Sequence, residues 1–106
     1  MSVDDALSRA RELFSRARRG LEAGDAREVC ENAFRLATLV LQEGPRLALA
    51  LGKGLDIEAD LLSQSILLRT EQIRESGLDA QECFEVAEMS LRLLERITGV
   101  SVERER

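Results

Sequence analysis

The sequence contains no histidine, tryptophan or tyrosine, and only three phenylalanines. Without histidine there is no imidazole to act as acid, base or metal ligand. A serine or cysteine nucleophile would lack its usual activating base. Without tryptophan or tyrosine, ring stacking on nucleic-acid bases is reduced to what three phenylalanines can offer. The two cysteines cannot supply the four Cys or His ligands of a structural zinc site. A carboxylate-bridged di-iron bundle needs Glu-x-x-His pairs, which are missing, and no acidic loop follows the calcium pattern. The sequence therefore offers no metal site and calls for no cofactor. No apolar run approaches the roughly 20 residues needed to cross a bilayer. The N-terminus opens on Asp4 and Asp5 with no basic stretch, so it does not read as a signal peptide, and a cytoplasmic protein is expected. In that reducing compartment a Cys30–Cys83 disulfide is not expected. Both cysteines fall on apolar helix faces, beside Val29 and Phe84, and read as small core hydrophobes.

Lysine and proline each occur once. Lys53 sits in Gly52-Lys53-Gly54, but a phosphate-binding loop would need Gly at position 47 and Ser or Thr at 54, where this chain has Leu47 and Gly54. Pro45, preceded by Gly44, is a helix-stop signal. The net charge of −5 argues against a DNA-binding role, which calls for a basic face. Residues 1–24 carry five arginines against four acids, a mild basic tilt that could contact an anion through Arg9 and Arg16.

What remains is strong helical patterning in a chain of 106 residues, the size of one domain. Over residues 2–23, Val3, Ala6, Leu7, Ala10, Leu13, Phe14, Ala17 and Leu21 recur at steps of three and four, with Ser2 as N-cap and Gly24 as the stop. Asp25, followed by Glu28, caps a second helix whose apolar face is Val29, Cys30, Ala33, Leu36, Ala37, Val40 and Leu41. Gly44-Pro45 is expected to end it. Residues 46–54, with Leu47, Leu49 and Leu51, read as a short helix or packed turn. A third helix over 55–76 carries Leu55, Ala59, Leu62, Ile66 and Ile73, widened by Leu61, Leu67 and Leu68, with acids crowding its first turns. Gly77 ends it. Asp79, followed by Glu82, caps a fourth helix with Ala80, Cys83, Phe84, Ala87, Leu91, Leu94 and Ile97 inward. Gly99 stops that helix, and residues 101–106 are expected to fray beyond a single domain over 1–100.

Two helical hairpins, in each of which the second helix starts with Asp-Ala-x-Glu, must bury their apolar stripes against each other. The predicted fold is all-α, an antiparallel four-helix bundle of up-down hairpins with a short extra element between helices 2 and 3. The third helix carries more leucine and isoleucine than one core-facing stripe needs. Leu47, Leu49, Leu51, Leu61 and Leu68 are therefore candidates for a partner or dimer interface. In the alternative arrangement the 46–54 segment covers the third helix within one monomer.

The run from Ala-Leu-Ser-Arg-Ala-Arg-Glu-Leu-Phe through Gly-Asp-Ala-Arg-Glu-Val-Cys-Glu-Asn-Ala-Phe-Arg-Leu-Ala resembles the start of HEPN (higher eukaryotes and prokaryotes nucleotide-binding) domains, with Ala33 and Ala37 in the A-x-x-x-A pattern of the second helix. Asp-Ala-Gln-Glu-Cys-Phe-Glu-Val-Ala-Glu-Met is similar to the family's closing helix. Nuclease members carry an Arg with a His four to six residues on. Arg69 falls near that place, and no His follows it. The resemblance thus implies a non-catalytic member that forms a homodimer and binds a protein partner such as a nucleotidyltransferase, or a nucleotide, with Arg69 as a further anion contact. The alternatives are a HEPN-type ribonuclease toxin with an atypical site and a tetratricopeptide-like adaptor that grips a peptide.

Overall fold

The computed structural model describes residues 1–54 and 56–102 of the chain. They form four helices, α1 (Val3–Glu22), α2 (Ala26–Ala50), α3 (Ile57–Ser76) and α4 (Ala80–Thr98). Among the described residues there is no strand. The placement of Leu55 on the third helix, and the fraying of residues 103–106, lie outside the described residues.

Each helix starts where a short polar side chain can accept an orphan N–H of the first turn. Ser2 Oγ accepts from the Asp5 N–H at 3.1 Å. Asp25 and Asp79 accept from the Glu28 and Glu82 N–H groups at 3.1 and 2.9 Å. Asp56 caps α3, accepting from Glu58 and Ala59. The box that Asp25 and Glu28 suggest is only half built. The Asp25 N–H already donates to the Gly20 carbonyl at 2.8 Å, and the Glu28 carboxylate accepts from Asn32 Nδ2 at 2.9 Å instead.

Close approaches fix the helix directions. Gly20 lies against the backbone of Val29, and a Cβ there would come within 3.0 Å of the Val29 nitrogen, so α1 and α2 pack tightly beside their turn. Arg69 pairs with Glu85 and Arg96 with Asp56, so α3 and α4 run antiparallel. Cys30 meets Cys83 at one end of α2 and α4, while Gly44 meets Ile97 at the other. These two helices therefore run parallel, as alternate members of an up-down bundle must. The fold is an all-α four-helix bundle with α4 at its centre. The Phe14 and Phe84 rings meet at 5.3 Å and join α1 to α4. α3 packs on the far side of α4, barely reaches α2, and makes no packing contact with α1.

The core follows the predicted stripes of α1, α2 and α4, with additions. Val86, Ser90 and Leu93 are buried as well, because α4 is covered on a second side by α3. Val102 is also buried, and its N–H donates to the Glu95 carboxylate at 2.7 Å. The expected fraying from residue 101 is thus corrected at Val102, where an apolar side chain finds the core.

Three further expectations are corrected. Gly44-Pro45 does not end α2, which continues to Ala50 with Pro45 inside it. Pro45 is exposed, and its ring removes the helical donor of the Leu41 carbonyl. The lost bond is offset by burying Leu47, 3% exposed, one half-turn later. Gly44 is there for contact: a Cβ would meet Ile97 Cδ1 at 2.9 Å. Consequently residues 46–50 are the last turns of α2, and a turn follows them in place of a separate short helix. Leu47 belongs to the core of the monomer and leaves the list of interface residues.

The third correction concerns the cysteines. They are buried, as expected, but they are not free thiols: Cys30 and Cys83 form a disulfide with Cα atoms 5.0 Å apart. Cys30 lies five residues after the cap Asp25, and Cys83 four after the cap Asp79. With α2 and α4 parallel and their starts level, one turn into each helix is the same height, and the two sulfurs meet.

Candidate functional site

α3 has apolar residues on two opposite sides. At about 100° per residue, Leu62, Ile66 and Ile73 point one way and Ile57, Leu61 and Leu68 the other. The first set faces α4; Ile66 and Ile73 are fully buried, with Leu62 and Ala59 partly so. The second set faces outward, with Ile57 77%, Leu61 55% and Leu68 59% exposed. The outer stripe carries no charge from Ile57 to Leu68; Gln64 and Ser65 fill the positions between. Leu67 is exposed on its flank. At the neighbouring end of α2, Leu49 is 81% exposed and Leu51 is exposed too. Of the five leucines predicted for an interface, the structure leaves Leu49, Leu51, Leu61 and Leu68 on the surface. Ile57 was missed by the sequence reasoning. Its signal was present, since it shares a side with Leu61 and Leu68, four and eleven residues on.

Because α3 rests on α4 and hardly touches α2, a groove of about 830 Å³ opens between α2 and α3. Val40, Leu41, Leu93 and Ile97 make it apolar inside, and Ile57 ties it to the outer stripe. Its polar groups sit at the end where the α2–α3 turn meets α4. Arg96 Nε donates to Asp56 Oδ2 at 2.7 Å, and its Nη1 lies 2.9 Å from Glu58 Oε2. Lys53 and Asp60 also line the groove. Lys53 pairs with no carboxylate among the described residues, and Asp60 accepts a hydrogen bond from Gln64 at 3.1 Å.

The Arg96 hydrogen bond is the largest influence on Asp56 and holds its carboxyl below the usual 3.8, with the Ala59 and Glu58 amides adding to the effect. Asp56 raises Arg96 in turn. A lowered carboxyl contributes stability that is present above its ordinary pKa and is lost as the pH falls through the lowered one. The cap of α3 and its bridge to α4 should therefore outlast ordinary carboxylates on acidification. A carbon-detected titration of Asp56 is expected to give a midpoint below 3.8. A midpoint at or above that value would show that the bridge is not held.

The arginines predicted as anion contacts are all engaged by carboxylates. Arg9 and Arg16 share Glu12, at 2.6 and 3.1 Å. Arg69 donates to Glu85 at 2.7 Å and bridges α3 to α4. The three are not brought together: Arg9 and Arg16 belong to α1, which does not contact α3. Arg74 lies over the Phe34 ring, 5.3 Å from its centroid. Among the described residues no group of three or more His, Cys, Asp or Glu side chains could hold a metal ion. No described helix is long and apolar enough to cross a membrane.

Comparison with family models, with curated proteins and with solved structures gives no match.

Proposed function

We propose that this chain is a non-catalytic helical binding module that self-associates through α3 and docks or regulates a partner. The single observation that carries this is the outer stripe of α3, Ile57, Leu61 and Leu68, which the monomer leaves exposed beside an apolar groove. Exposed apolar area of this kind marks interaction sites. The lack of histidine, and the use of Arg69 in a bridge to Glu85, support a binding role over RNA cleavage. The resemblance to HEPN domains points the same way, with a protein partner such as a nucleotidyltransferase, or a nucleotide, as the ligand.

Sedimentation velocity over a range of concentrations tests this function. The expected result is a shift from the 11.8 kDa chain to a species of twice that mass. A monomer at every concentration speaks for a peptide-gripping adaptor and overturns self-association. Incubation with labelled RNA tests the other half: sustained cleavage that Arg69→Ala abolishes would make the chain a ribonuclease.

A further inference from the structure

We infer that the stripe and the groove are two halves of one self-complementary interface, and that the groove's occupant is α3 of a second copy of this chain. This rests on the self-association proposed above and names its geometry. A two-fold dimer uses the same patch on both subunits, so that patch must carry both the projecting and the receiving surface. α3 meets the requirement: it projects Ile57, Leu61 and Leu68 on one side and walls the groove on the next, with Ile57 common to both.

Charge favours the same occupant. The centre of the patch, positions 57, 61, 64, 65 and 68, is uncharged, as the buried centre of an interface tends to be. Its rim holds Lys53, which has no carboxylate partner among the described residues, and Asp60, which is bonded to Gln64 but to no cation. Two unlike charges on one rim are what a two-fold axis can pair reciprocally, Lys53 of each copy with Asp60 of the partner subunit. A 20-residue helix is about 30 Å long and about 10–12 Å across, so α3 alone covers less than half of the ~800 Å² per partner of a stable interface; the groove wall and the exposed Leu49 and Leu51 supply the rest.

The test is sedimentation of the wild-type chain, Leu61→Glu/Leu68→Glu, Lys53→Glu, Asp60→Lys and Lys53→Glu/Asp60→Lys, with circular dichroism as a check on folding. Both leucines are exposed, so the leucine variant should keep its helix content and melting behaviour while remaining monomeric at concentrations where wild type dimerises. Each single charge reversal should raise the dimer dissociation constant about five- to tenfold, and the double reversal should restore it. A wild-type dimer that survives Leu61→Glu/Leu68→Glu overturns the inferred face while leaving self-association standing. A double reversal no better than the singles overturns the reciprocal pairing. A wild-type monomer at all concentrations overturns both this interface and the proposed self-association, and leaves the groove to a helix of another protein.

Discussion

Reducing the Cys30–Cys83 disulfide is expected to lower the melting temperature by about 10–30 °C. The bond joins residues 53 apart in sequence, so it closes a loop of about half the chain. Loop-closure entropy for such a length corresponds to about 4 kcal/mol, and native disulfides commonly deliver 2–4 kcal/mol. The effect should be large here because of what the bond connects. α4 is the central helix, and the bond ties its N-terminal end, one turn in, to that of α2. Cys30→Ala/Cys83→Ala should show the same loss and no response to reductant. Native protein prepared without reductant should have no titratable thiol after unfolding. Equal melting with and without dithiothreitol, together with two free thiols per chain, would show that the sulfurs are not joined. Both cysteines are buried, which shields the bond from attack by a solvent thiolate. In a reducing cytoplasm its lifetime would depend on how often the N-terminal ends of α2 and α4 open.

Ile66→Ala and Leu68→Ala should behave very differently, although they are two residues apart on one helix. Ile66 is fully buried against α4, and its truncation should cost about 2–5 kcal/mol through lost transfer energy and a cavity. Leu68 is on the outer stripe, and its truncation should change monomer stability by no more than about 0.5 kcal/mol. Urea melts at a concentration low enough to keep the chain monomeric check both. Similar costs at the two positions would mean that α3 is embedded on both sides, and that no free stripe exists.

The contrast between these residues explains how far the sequence could be read. The inward faces of α1, α2 and α4 were legible, because Leu13, Leu36, Leu91 and their neighbours repeat at helical spacing on one side. The caps Ser2, Asp25 and Asp79 were legible because a side-chain oxygen just before an apolar repeat has one local use. α3 was harder. Its apolar residues occupy opposite sides, so they look like one broad stripe until the spacing of Ile57, Leu61 and Leu68 is separated from that of Leu62, Ile66 and Ile73. Gly44-Pro45 misled because the local stop signal is outweighed by tertiary packing: Gly44 lets Ile97 approach, and Leu47 reaches the core. The disulfide was hidden because it depends on the parallel alignment of α2 and α4, which no local pattern states. The Asp56–Arg96–Glu58 cluster was hidden for a similar reason, since 40 residues separate Asp56 from Arg96.

The claim on which the functional account depends is that one side of α3 builds the monomer and the other binds a second chain. Backbone hydrogen exchange over residues 57–72, measured at low and high protein concentration, tests it most directly. The account predicts that protection in this segment rises with concentration while that of α1 stays constant. Identical exchange in α3 at both concentrations, or a rise confined to α1, would contradict it.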